Sequence, residues 1–208
     1  MENRTRGRSS VPGMALGLLL LFGVVSPQGV RAQAAAARGA AVAPILFHTS
    51  DQCMACHNQL TAPDGRDVSI GFNWRSSMMG NAGRDPYWMA GVRRESLDHP
   101  AAAAVIEDKC TVCHLPMART TSVAMGEPAG AFEHFPVLGD GGPLTALAQD
   151  GVSCSVCHQI RDEKLGEREG FTGGYVIDLR TPMGGRAALG PFDVDAGRSR
   201  LMRSASEF

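Results

Sequence analysis

The sequence predicts a mainly α fold of short helices and much irregular structure, with a small β-hairpin near the C-terminus. Three observations predict it. The 208-residue chain carries three C-x-x-C-H motifs, which use all six of its cysteines. Helix-start signals, above all Asp85-Pro86, recur between Gly- and Pro-rich stretches. The chain also has only 8 Phe, 2 Trp and 2 Tyr, a thin aromatic supply for a protein core. Large flat groups bound at the motifs would fill that core instead, so folding should depend on them.

The motifs are Cys53-Met54-Ala55-Cys56-His57, Cys110-Thr111-Val112-Cys113-His114 and Cys154-Ser155-Val156-Cys157-His158. Their spacing is the attachment signature of c-type haem. Two thiols one helical turn apart reach the two vinyl groups of one porphyrin, and the next residue turns its imidazole toward the iron. Cys53, Cys56, Cys110, Cys113, Cys154 and Cys157 are therefore the expected covalent anchors of three haems. His57, His114 and His158 are the expected proximal ligands. The three remaining histidines, His48, His99 and His134, match the number needed for three distal ligands. Met78 or Met79 could supply a thioether instead, which would raise one potential, although Met more often fills core gaps. A redox dithiol or a zinc site would not require a His after each second Cys. Disulfides inside CxxC would staple almost nothing, because cross-links stabilise mainly by closing long loops.

The elements follow in order. Residues 1–32 read as a secretory signal peptide: Arg4, Arg6 and Arg8, then an apolar run over 14–25, then Val30-Arg31-Ala32 before the cleavage point. The run is about a dozen residues, short of the ~20 that span a bilayer. Residues 33–44 are an Ala-rich leader, and 45–208 form the folded domain. Without residues 1–32 the chain keeps 16 of its 20 Lys and Arg and 20 of its 21 Asp and Glu, a net charge of −4. No strongly basic face argues for nucleic acid. Thr49 or Ser50 should cap a helix carrying the first motif. Asn73 should cap a short helix through Trp74, Met78 and Met79. Asp85-Pro86 starts a helix that ends at His99-Pro100. Ala-rich residues 101–114 form the next, with the second motif at its end and Pro116 as its stop. Residues 126–149 read as irregular. Ser153 or Asp150 should cap the third motif's helix. Residues 171–179 read as a β-hairpin or extended strand. Trp74, Tyr87 and Trp88 are expected against porphyrin faces, and Arg75, Arg93, Arg94 and Arg119 as partners for propionates.

The stretches Asn73-Trp74-Arg75-Ser76-Ser77-Met78-Met79, Arg84-Asp85-Pro86-Tyr87-Trp88, Glu95, His99-Pro100, Cys110 through Arg119 and Asp150-Gly151-Val152-Ser153-Cys154 sharpen the assignment. Over roughly residues 45–207 the chain resembles extracytoplasmic bacterial multihaem c-type cytochromes. These are loosely related to nitrifier tetrahaem cytochromes and the hydroxylamine-oxidoreductase class. Members run on past the segment resembling Gly190-Pro191-Phe192-Asp193 into further CxxCH motifs, so this chain reads as a truncated member. The resemblance implies electron transfer in the periplasm. It implies redox partner proteins, with a quinol- or oxidoreductase-linked complex as one option, and no membrane span after signal cleavage.

Two function classes compete. An electron carrier needs every iron six-coordinate, and six histidines for three haems favour it. A haem-based oxidoreductase of the nitrite- or hydroxylamine-converting kind needs one open iron. No motif carries the Lys that makes one known type of catalytic haem. No catalytic residue is assigned.

Overall fold

The computed structural model describes residues 46–135, 141–190 and 193–205. The expected signal peptide (1–32) and leader (33–44) lie outside the described residues. The fold is mainly helical, as the sequence predicts, and among the described residues pairing between extended segments is limited to two isolated bridges. No described helix is long and apolar enough to cross a membrane.

Helix α1 (Ser50–Met54) begins after Thr49, which sits in extended geometry at the N-cap but makes no side-chain cap bond. The Thr49 hydroxyl instead donates to the Asp51 carboxylate. The helix expected to be capped at Asn73 is two helices, α2 (Ile70–Arg75) and α3 (Met78–Asn81), with Asn73 inside the first. The reason is Ser77. Its hydroxyl accepts the Gly80 N–H at 3.1 Å and restarts the chain as a new helix.

Helix α4 (Pro86–Asp98) starts as its sequence dictates. The Asp85 carboxylate accepts the Tyr87 N–H at 2.9 Å, and Pro86 occupies the first turn, where no N–H is needed. A 3-10 turn, Pro100–Ala102, leads into α5 (Ala103–His114). Pro116 does more than stop α5. After a bend at Leu115 it opens α6 (Pro116–Ala124) from its first position. Pro143 does the same for α7 (Pro143–Gln149), inside a stretch expected to be irregular. Helix α8 (Cys154–Cys157) carries the third motif and α9 (Ala196–Ala205) lies near the C-terminus.

The C-terminal β-hairpin is corrected. Gly170–Gly174 form one wide helical turn, and Gly173 takes φ +86°, which β-branched or bulky residues rarely adopt. The chain then runs extended, but its pairing is confined to one bridge, Ile160 with Ile177, with the Arg161 N–H on the Val176 carbonyl at 2.8 Å. The β-branched run has the composition of a strand but no second strand to pair with.

Helix α4 packs on α5, and α6 packs on α5 and α7. Leu115, Met117, Ala118 and Ala148 are fully buried at the centre, with Phe47, Trp88, Val92, Phe135 and Val156 around them. Most other large apolar groups lie outside this core. Phe72, Phe171, Tyr87 and Met78 are 68%, 78%, 87% and 92% exposed. The side-chain core is small, and many large apolar side chains lie outside it.

Candidate functional site

Each motif sits on a helical turn. The His57 N–H bonds the Cys53 carbonyl at 3.0 Å, and the His158 N–H bonds the Cys154 carbonyl at 2.9 Å. His114 closes α5. Residues at i, i+3 and i+4 of a helix share one face, and the second motif lies wholly within α5, whereas α1 ends before Cys56 and His57 and α8 ends before His158. Each second cysteine is exposed.

The first and third motifs meet. The Asp150 carboxylate accepts the Ser50 N–H and the Ser50 hydroxyl, both at 2.7 Å, which ties the start of α1 to the approach of α8. Asp150 therefore caps the first motif's helix across 100 residues of sequence, rather than the third motif's. The Ser155 hydroxyl donates to the His48 carbonyl at 2.6 Å. The Cys53 and Cys154 thiols share a hydrogen bond. That bond and burial push Cys53 far above the ordinary thiol range, and the same bond holds Cys154 down at about 7. Gly151, at φ +66°, lets the segment before α8 lie against α3. A Cβ there would lie 2.6 Å from the Met79 carbonyl oxygen.

The third motif also lies against residues that flank the second. Met117, three residues past His114, accepts the Ser155 hydroxyl on its sulfur at 3.3 Å. Tyr175 lies close to both Cys113 and Cys157. Burial raises its phenol pKa, a bond with Thr120 opposes this, and the two thiols add to the rise. Gly173 lies over Val112 of the second motif. The third motif thus touches the first directly and reaches the second through Met117 and Tyr175.

Two motif imidazoles are held in one orientation. His114 directs Nδ1 at the Ala82 carbonyl at 3.0 Å and stacks on Trp88, centroids 4.3 Å apart and planes 3° from parallel. His158 directs Nδ1 at the Leu189 carbonyl at 2.6 Å. A carbonyl only accepts, so Nδ1 carries the proton and Nε2 keeps its lone pair. This is the arrangement that orients a histidine for a metal. His57 is exposed and makes no such bond.

The other expected ligands fall in different settings. His48 has Nε2 buried without a hydrogen-bond partner, and burial lowers its pKa. His134 is 8% exposed, in the 3-10 turn Phe132–His134. His99 caps the end of α4, its ring 63% exposed and 3.9 Å from the Glu95 carboxylate. Glu95 is also close enough to Cys110 to add to a thiol pKa raised first by burial. Met78 and Met79 are both exposed.

Of the arginines expected as partners for propionates, Arg119 forks onto Asp108 at 2.9 and 3.2 Å, Arg94 pairs with Asp98 at 2.6 Å, and Arg93 lies over the Phe132 ring. Arg75 borders an open cleft of about 240 Å³ against Met54 and Ala55, the middle residues of the first motif. Of the aromatics expected at porphyrin faces, Trp88 is buried against His114, Trp74 donates to the Val152 carbonyl at 3.0 Å, and Tyr87 is exposed. Composition did not reveal Arg186, which is buried beside the third motif.

The donor set fits covalent haem. Each motif offers a thiol pair followed by an imidazole, and two imidazoles have Nδ1 held by a backbone carbonyl. Among the described residues no three His, Cys, Asp or Glu side chains converge as a metal-ion group. A porphyrin brings four ligands of its own and needs no such convergence. No protein-family model matches the chain, and no curated protein or solved structure is similar to it.

Proposed function

We propose that this chain is an extracytoplasmic electron carrier that binds three c-type haems covalently. The observation that carries the reading is the pair of motif imidazoles whose Nδ1 atoms are held by the Ala82 and Leu189 carbonyls. A histidine packed only for structure has no need of an Nδ1 held in place directly after a pair of thiols.

Cys53 and Cys56, Cys110 and Cys113, and Cys154 and Cys157 are the thioether anchors. His57, His114 and His158 are the proximal ligands, and His48, His99 and His134 the distal ones. Haem, when bound, supplies reversible one-electron chemistry at iron. The chain supplies the rest. Trp88 keeps the His114 ring from turning. Asp150 and Ser50 hold the first attachment turn against the third. Met117 and Tyr175 hold the third near the second. The partners are redox proteins of the periplasm, with a quinol- or oxidoreductase-linked complex among them, and the chain is a member of the multihaem cytochromes it resembles.

The contact of Cys53 with Cys154 favours one second reading, a cross-motif disulfide in a chain that carries no haem. Denaturing mass spectrometry after export in a host competent for haem attachment separates the two. The carrier gives the polypeptide plus three haem masses, and Cys110→Ala with Cys113→Ala gives two. A bare polypeptide, or one lighter by two hydrogens, sinks the proposal.

A further inference from the structure

Arg186 is 9% exposed. Its Nη1 donates to the Gln159 side-chain oxygen, and Gln159 in turn donates to the Met183 sulfur at 3.6 Å. Its Nε and Nη2 are both buried and have no hydrogen-bond partner. These two atoms form one edge of the guanidinium, the edge that grips a carboxylate with two parallel bonds. Among the described residues no carboxylate bonds to them. Asp178 is the acid whose charge acts on Arg186, and its oxygens are taken by Arg180, Thr181 and its own turn. His48, also close enough to feel the arginine's charge, has its own buried Nε2 unpartnered. A buried cation with an open fork calls for an anion.

The segment that carries Arg186 also sends the Leu189 carbonyl to His158. Gln159, its one partner, directly follows the third motif. We propose that Arg186 anchors a carboxylate, and that this carboxylate is a propionate of the haem held by the first or the third motif. The inference rests on the haem reading above. It adds a residue that tunes one haem: a cation on the propionate stabilises the reduced iron, and its removal favours the oxidised form.

The test is potentiometric titration of the holoprotein beside its haem count by mass. Arg186→Gln should keep three haems and shift the reduction equilibrium of one haem at least tenfold toward the oxidised form, 59 mV for a one-electron couple. Arg186→Lys keeps the charge and loses the fork, and should shift the same haem by less than half as much. If Arg186→Gln yields no holoprotein, the Arg186→Lys shift decides. Three haems with unmoved potentials in both variants would overturn the inference and leave the haem reading standing. A parent chain without haem overturns both. A parent potential that moves on adding nitrite or phosphate, and no longer does so in Arg186→Gln, would overturn the propionate in favour of a free oxyanion.

Discussion

Replacing Asp150 by alanine should loosen the junction between the first and third motifs. Asp150 accepts two hydrogen bonds of 2.7 Å from Ser50, one from the backbone and one from the hydroxyl. Ser50 is 4% exposed, so water does not readily replace the lost oxygens. Hydrogen bonds to a charged group contribute about 1.5–3 kcal/mol each, and an unsatisfied buried donor costs a similar amount. The two bonds together set an upper figure of about 6 kcal/mol. Asp150 itself is half-buried, and partial solvation brings the expected loss to about 3 kcal/mol. Asp150→Asn keeps one accepting oxygen and should lose about half of that. Urea unfolding of the holoprotein, followed by far-UV circular dichroism, measures both. A domain of ordinary stability, about 5–15 kcal/mol, registers such a loss clearly. Both variants within about 0.5 kcal/mol of the parent would show that Asp150 and Ser50 do not hold the two motifs together.

Trp88→Ala removes a buried ring that stacks on His114 and meets the edge of Phe135. It should cost about 3–5 kcal/mol and broaden the EPR signal of one haem, whereas Trp88→Phe should cost less and leave that signal sharp. Gly173→Ala places a methyl 1.9 Å from Val112 Cγ1 at φ +86°; left-handed strain of about 1–2 kcal/mol and overpacking of about 1–3 kcal/mol should lower the midpoint of a thermal melt, and an unchanged midpoint would mean the turn is free to move. His99→Ala should leave three haems attached and one iron five-coordinate and high-spin by low-temperature EPR; unchanged low-spin signals would make His99 a corner residue that only faces Glu95.

The parts of the fold that rest on one residue's own chemistry were legible in the sequence. Asp85-Pro86 starts α4 because an accepting side chain and a missing N–H are properties of those two residues. The helical turn of each motif follows from the cysteine spacing. The C-terminal segment misled because Tyr175, Val176 and Ile177 have strand composition, while a strand also needs a neighbour, and composition does not supply one. Asn73 misled because Ser77, four residues on, is the better placed cap. The features that position the candidate site were the least legible. The acceptors of His114 and His158 are backbone carbonyls of Ala82 and Leu189, and a carbonyl looks the same whatever residue carries it. Asp150 finds Ser50 across 100 residues. Arg186 looks in sequence like any surface arginine, and its burial depends on where residues 178–190 run.

The third motif lies last along the chain yet contacts the first directly and the flank of the second, and on the proposed function this bears on how the protein would be made. A polypeptide delivered across a membrane from its N-terminus presents the first two attachment sequences well before Cys154 arrives. Their thiols wait without the neighbours they will have in the finished protein. Contacts so far apart in sequence form late and slowly, which on the proposed function would leave an interval in which each CxxCH sequence is open to haem attachment as an unfolded peptide. Arrival of the last motif closes that interval. Its docking brings Cys154 against Cys53, where any thiol still unmodified meets a second one. On the proposed function, the order of the motifs would therefore time maturation, with assembly of the centre as the final step.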